Sequence, residues 1–420
     1  MTEKITPYQI DVPSTGTLKI AVFSTLGPIP VPNATVILSY NDQPNNVIEN
    51  LITDSSGQTQ TVTLPAPPLE YSMLPNEPRP YSEYEVRVSA QGYEPVVITG
   101  TEILPTQNAI LPVYMPPIEV PNERKQDVNI PDHTLYGEYP PKIPEDEIKP
   151  LPDTGEIVLT RVVIPEYIIV HDGVPSDSSA PNYYVTYKDY IKNVACCEIY
   201  ATWPESCIYA NILAIMSFTL NRVYTEWYRN QGYNFTITSS TAYDQKWIYG
   251  RNIYENIDYL VDTIFNNFLS RPGVRQPLLT TYCDGNRTTC DGLSQWGSKF
   301  LGDDGYSAIE ILRYFYGDDI YINSAATVSG VPSSFPGYNL TIGSTGEKVR
   351  QIQEQLIRIA QNYPLIPVIV ADGIFGPNTE NAVKVFQGIF NIPQTGIVDF
   401  PTWYEISEIY VGVSRIAEPI

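Results

Sequence analysis

The chain has 420 residues, 43% of them hydrophobic and 12% aromatic, enough to fill the cores of about three domains of roughly 100–200 residues each. Its 47 acidic residues outweigh 25 basic ones for a formal charge of −22, which excludes a nucleic-acid binder, because phosphate contacts need clustered Lys and Arg. No apolar run approaches the ~18 residues of a membrane span, and the stretch from Met1 to Ser14 lacks the basic-then-apolar pattern of a secretory signal, so synthesis in a cytoplasm is expected.

Residues 1–117 read as β. Leu18 to Phe23, Thr35 to Leu38 and Tyr84 to Val88 alternate as half-buried strands do, and Asp54-Ser55-Ser56-Gly57 and Gln91-Gly92-Tyr93 supply turns between such strands. Short strands at this spacing predict a small antiparallel β-sandwich. Residues 118–160 carry seven prolines among acids such as Glu145, Asp146 and Glu147, the composition of an extended, exposed linker or of a protease-accessible pro-segment.

Residues 161–325 mix both periods and predict an α+β domain. A strand is expected from Tyr167 to Val170, a long helix from about Tyr187 to Asn230, and a second helix from Asn252 to Leu269. Strand-like residues follow at Leu278 to Tyr282, and a third helix at Ser307 to Tyr316. A Ser, Pro and Gly-rich stretch over 326–340 is a second linker. Residues 341–420 then predict a three-helix module, with Val349, Ile352, Leu356 and Ile359 on one helix face and Ala382, Val383 and Phe386 on another.

The chemistry is narrowed by scarcity. With His133 and His171 the only histidines, a Ser-His-Asp triad or a two-His zinc hydrolase has almost nothing to draw on, so carboxylate chemistry is favoured and no metal or other cofactor is expected. The loop from Cys283 to Cys290 holds no histidine, which favours a disulfide or two free thiols over a zinc site. Cys196, Cys197 and Cys207 read as packing residues.

Three segments of the central domain resemble the SpoIID family, named for stage II sporulation protein D: Tyr190 through Pro204, Asp244 through Gly250, and Cys290 through Gly297, the last close to that family's Gly-Met-Ser-Gln-Trp-Gly signature. The resemblance implies a lytic transglycosylase that cleaves peptidoglycan glycan strands, with Glu198 catalytic and Tyr200, Trp203, Gln245, Ser294 and Gln295 as substrate contacts. Glycan cleavage needs an acid to protonate the leaving oxygen, a role suited to a carboxyl with a raised pKa. Ser294 and Gln295 are equally readable as a turn that positions a strand end. Tyr209 and Met216 stand where the family carries Lys and Arg, and Arg222 is near enough in sequence to replace them.

The C-terminal module resembles the three-helix peptidoglycan-binding domain through Asp372-Gly373, Phe375-Gly376, Thr379, Phe386-Gln387, Gly396, Val398 and Trp403, with Gln353 and Gln387 expected to be structural. The N-terminal stretch resembles carboxypeptidase-regulatory and prealbumin-like modules. The order of modules is similar to that of the germination-specific spore cortex-lytic enzymes of clostridia. That implies a zymogen in the spore cortex or coat region, activated by a subtilisin-like Csp protease. An amidase enhancer or a structural coat protein with wall-binding modules would be the competing classes.

Overall fold

Alternating apolar residues build the N-terminal sheets. Leu18, Ile20 and Val22 of β1 (Ser14–Ser24), Val36 and Leu38 of β2 (Thr35–Tyr40), and Val86 and Val88 of β5 (Ser82–Ser89) all point into one core. The computed structural model describes residues 14–118, 127–149 and 161–415. Its remaining N-terminal strands are β3 (Gln43–Ile52), β4 (Val62–Ala66), β6 (Val96–Ile103) and β7 (Asn108–Met115). The Asp54–Gly57 turn is fixed by the Asp54 carboxylate, which accepts the N–H groups of Ser56 and Gln58 at 2.8 and 3.1 Å. Gly57 sits there at φ +74°, where a Cβ would meet the Val22 carbonyl at 2.4 Å, so only glycine fits.

The sandwich is not fully antiparallel. β1 pairs antiparallel with β4 but parallel with β7, from Thr17 opposite Asn108 to Ser24 opposite Met115. These are the first and last strands, and the chain passes through the other sheet between them. No tight hairpin therefore forces them to run in opposite directions. The second sheet runs β3-β2-β5-β6, and its far edge is taken by β8 (Val128–Asn129), parallel to β6. The free edge of β7 is taken by Ile253–Tyr254 from the central region.

The chain is mixed α+β, with eight α-helices among the described residues. The long helix expected from Tyr187 to Asn230 is two: α1 (Tyr187–Glu198) and α2 (Glu205–Tyr224). Pro204 forbids a continuous helix, because it has no N–H to donate and pushes Trp203 away from helical geometry, so the chain extends at Ile199 and re-enters a helix at Glu205. α2 is apolar on nearly all sides and buried along most of its length. The second predicted helix shortens to α3 (Glu255–Ile264), and its expected end is instead a strand, Asn267–Ser270, paired with Tyr321–Ser324. Of the predicted strand at 278–282 only Tyr282 is regular, in the two-residue strand Tyr282–Cys283. α4 (Gln295–Asp303), unpredicted because Gly297 and Gly302 dilute its pattern, precedes α5 (Ala308–Tyr316).

α6 (Glu347–Ala360), α7 (Pro377–Ile389) and α8 (Phe400–Arg415) form the C-terminal bundle. Two glutamines in it do the same job. The Gln353 amide N–H groups reach Asp372 Oδ1, the Ile374 carbonyl and Thr379 Oγ1, while its oxygen accepts from Gly373 N. Gln387 repeats the pattern with Thr395, the Ile397 carbonyl, Thr402 and Gly396 N. Each glutamine closes one loop onto one helix start, the structural role expected of them.

Residues 127–149 overturn the exposed-linker reading. Val128, Ile130, His133, Thr134, Leu135, Tyr139 and Lys149 are buried, and the segment lies as a strap across the central region. The composition is right for an extended backbone, but the side chains have found partners. Prolines 121, 150 and 152, and the part of the expected processing segment around them, lie outside the described residues.

Candidate active site

Glu198 is the last residue of α1, a helix opened by Thr186, whose hydroxyl accepts the Asp189 N–H at 3.3 Å. Because the backbone turns extended at Ile199, the Glu198 side chain stays inside, 0% exposed. A carboxylate removed from water needs hydrogen bonds to both oxygens. Glu198 has three donors: the Lys246 backbone N–H to Oε1 at 2.8 Å, Gln295 Nε2 to Oε2 at 3.1 Å, and the Tyr139 hydroxyl to Oε2 at 3.3 Å. Burial, aided by the Glu198 charge, holds the Tyr139 phenol well above its ordinary pKa, so it remains a donor.

Each partner is held by its own surroundings. Gln295 opens α4 directly after Ser294, whose Oγ accepts the Gly297 N–H at 2.9 Å as the helix cap. The preceding loop is closed by a Cys283–Cys290 disulfide, and the Asp284 carboxylate accepts the N–H groups of Asn286, Arg287 and Thr288 at 3.3, 3.1 and 2.8 Å. Gln295 Oε1 is buried and has no hydrogen-bond partner among the described residues. Lys246 is placed by Gln245, whose oxygen accepts from Tyr190 and Thr219 and whose amide donates to the Ile215 carbonyl.

Of the residues predicted to contact substrate, only Gln295 touches Glu198. Gln245 faces the core and positions the backbone beside it. Ser294 is a helix cap. Trp203 is buried, donating its indole N–H to the Ser72 carbonyl at 2.9 Å, and its ring lies 4.9 Å from Trp296. Tyr200 packs on His133 at 4.5 Å and edge-on to Trp203 and Trp296. The three free cysteines, Cys196, Cys197 and Cys207, are buried, and burial pushes each thiol up to about 12, so they are packing groups.

Composition alone missed the strap. Besides Tyr139 on Glu198, it sets Thr134 Oγ1 on the Cys197 carbonyl and Lys142 Nζ on the Asp244 carbonyl. The Ile143 N–H donates to the Ala242 carbonyl at 2.8 Å. Arg287 clamps it by donating to the carbonyls of Thr134, Tyr136 and Gly137. Glu145 receives both terminal nitrogens of Arg222, at 2.6 and 2.7 Å, while Arg222 Nε donates to Asp244 at 2.7 Å. Arg222 is therefore committed to Asp244 and the strap. The signal available in the sequence was the pairing of tyrosines with acids in a proline-rich stretch, which a free spacer does not need.

As an arrangement, this is a buried carboxyl with donors on both oxygens, an open acceptor on one of those donors, and a phenol hydrogen-bonded to Oε2. Such a group can exchange a proton with whatever hydroxyl or ether oxygen replaces the phenol.

Residues 345–406 match the peptidoglycan binding domain family PG_binding_1. The C-terminal helical module is thus a peptidoglycan-binding domain, which gives the chain peptidoglycan as a partner and makes it a cell-wall-related protein. No curated protein matches the chain. Solved structures with local likeness include the TIE protein of Bacillus anthracis, 19% identical over 25% of this chain and 17% of that one, TM-score 0.19. Others are the minor pilin GBS52 of Streptococcus agalactiae, 16% identical over 27% and 49%, TM-score 0.19, and 3-chlorocatechol 1,2-dioxygenase of Rhodococcus opacus 1CP, 13% identical over 26% and 62%, TM-score 0.18. The chain spans less than two thirds of the length of each. No described helix is long and apolar enough to cross a membrane.

Proposed function

We propose that this chain is the latent form of a peptidoglycan lytic transglycosylase, with residues 161–325 as its catalytic unit and Glu198 as acid and then base. The observation that carries the reading is convergence. The three sequence segments that resemble the SpoIID family supply, in turn, Glu198, the Lys246 N–H and Gln295, and these meet on one carboxyl group. A wholly buried carboxyl group held in one place by its neighbours can serve to protonate a glycosidic oxygen.

In the proposed step, Glu198 Oε2 gives its proton to the leaving oxygen as the bond from that oxygen to muramic acid C1 breaks. The carboxylate so formed takes the proton from the same sugar's 6-hydroxyl, whose oxygen closes on C1. The product is a 1,6-anhydromuramyl end, no water is consumed, and Glu198 is protonated again. The open Gln295 Oε1 suits the N–H of an acetamido group on the sugar. With the Tyr139 hydroxyl on Glu198, the uncut chain keeps a glycosidic oxygen from the acid. The module order resembles that of SleC, the clostridial spore cortex-lytic enzyme, so we assign spore cortex as the substrate and a subtilisin-like Csp protease as the activator.

The test is digestion of purified cortex by the protease-processed protein, with muropeptides identified by mass spectrometry. Glu198→Gln keeps the size of the side chain and removes its transferable proton. It should cut product by more than about a hundredfold, the scale of general acid catalysis, while the folded protein still sediments with cortex. Wild-type turnover by a folded Glu198→Gln protein ends the enzyme reading and leaves an amidase enhancer in its place.

A further inference from the structure

The strap does more than sit over Glu198. Arg222 is wholly buried, with its flat face near Phe218 and Trp227, and its two terminal nitrogens are directed at Glu145. Apart from that carboxylate, their one hydrogen-bond acceptor among the described residues is the Tyr243 carbonyl, at 3.2 Å from Nη2. Arg271 grips Glu147 in the same two-pronged way, Nε to Oε1 at 2.6 Å and Nη2 to Oε2 at 3.0 Å, while its Nη1 stays on Asp319 and its Nη2 on the Tyr316 carbonyl, both outside the strap. Glu145 and Glu147 are two residues apart, so their Cα atoms are separated by at most about 7 Å. The two guanidinium groups thus form one short cationic track, and the Asp244 that holds Arg222 Nε lies two residues before Lys246, whose N–H is on Glu198.

A protein does not leave such a fork bare. A buried guanidinium whose outer edge loses its carboxylate is left with unpaired donors in a poorly solvated place, which is unfavourable until another anion arrives. Removal of the strap creates that vacancy at Arg222.

The geometry points to Arg222 and Arg271 as carboxylate subsites for peptidoglycan, occupied in the uncut chain by Glu145 and Glu147 acting as built-in substrate mimics. The inference rests on the lytic transglycosylase reading for the identity of the ligand, but its test reads binding and needs no turnover. The planar, two-pronged contacts select carboxylates over hydroxyls. In peptidoglycan these belong either to the stem peptide or, where the stem is missing, to the lactyl group of muramic acid.

Calorimetry on the full-length chain tests it. The probe is a disaccharide–tripeptide muropeptide with muramic acid at its reducing end, which has no muramyl glycosidic bond for Glu198 to break. Binding by the C-terminal module is common to all variants and cancels in comparison. The double variant Glu145→Gln, Glu147→Gln should bind the probe at least tenfold more tightly than the unaltered chain. It should show no such gain for the same probe with its carboxylates amidated. Adding Arg271→Gln, at a partly exposed position that tolerates the change, should remove most of the gain. A gain seen with stem-bearing but not stem-free disaccharide assigns the track to the peptide; a gain kept on the stem-free form assigns it to the lactyl group. No gain, or an equal gain for the amidated probe, overturns the proposal. Wild-type turnover by the Glu198→Gln protein would end the enzyme reading and leave these binding results unchanged, so the two readings fail separately.

Discussion

Tyr139 and Glu145 are where the proposed latent state is held at the level of single side chains. Burial alone would raise the Glu145 pKa, but the hydrogen bonds and charge of Arg222, with those of Lys149, hold it below the usual carboxylate range. A carboxyl with a depressed folded pKa contributes stability that is fully present above its unfolded value and is lost as pH falls through the folded one. The strap should therefore grip steadily above about pH 4.5, the ordinary glutamate value, and loosen progressively below it. Hydrogen exchange of amides 139–149 between pH 3 and 6, corrected for intrinsic rates, checks this; protection that is flat across the range would show that Glu145 does not hold the strap. A second residue-scale expectation concerns Gly285. It sits at φ +74°, and a Cβ there would lie 1.7 Å from Ser294 Oγ. Gly285→Ala should destabilise the loop under Gln295 by roughly 1–3 kcal/mol, the usual cost of such strain, seen as a lower melting temperature. Glu198 and Gln295 were legible in the sequence because each sits in a motif whose neighbours are local. Tyr139 was not, because the tyrosines and acids around it mark a segment with partners but do not say that those partners lie on α1.

At the scale of elements, what could be read was periodicity, and what could not was interruption. β1, β2 and β5, α5 and the bundle helices follow from spacing alone. The break between α1 and α2 was overlooked because an apolar run continues through it, yet Pro204 is the decisive residue: the break is what turns Glu198 to face Gln295 instead of the next helical turn. α4 was invisible for the opposite reason, since its two glycines have weak helix propensity and only its cap and packing hold it. The Gln353 and Gln387 motifs show how little local preference matters once a buried amide satisfies a whole loop. Gln353→Ala leaves the Gly373 N–H, Asp372 and Thr379 without their shared partner and should cost about 1–3 kcal/mol. Thermal unfolding of the full chain followed by Trp403 fluorescence measures it; an unchanged midpoint would mean that water replaces the amide without loss.

At the scale of the molecule, the parts that composition separates are interlocked. Glu102 of β6 and Arg251 form a buried two-pronged pair, 2.6 and 3.3 Å, and Asn252 exchanges hydrogen bonds with the Glu102 backbone while Ile253–Tyr254 extends the sheet of β7. The bundle is docked as well: Phe400 and Tyr404 pack on Phe265, and Lys188 is shared by Asp262, Glu405 and Glu408. A cut at residues 150–160, beyond the strap, leaves every one of these contacts intact, since none of them is covalent across the cut. Cleavage and opening should therefore be separate events. Immediately after proteolysis the two fragments should elute together on size exclusion and separate only after a lag, and any glycan cleavage should follow the separation and not the cut. Glu102→Ala leaves Arg251 buried without its partner, a loss of about 3–5 kcal/mol, and should shorten that lag without changing the rate at which the protease cuts. Fragments that separate as fast as they are made, with the same time course in the Glu102→Ala protein, would mean that the interlock contributes nothing to latency and that the covalent link alone holds the strap in place.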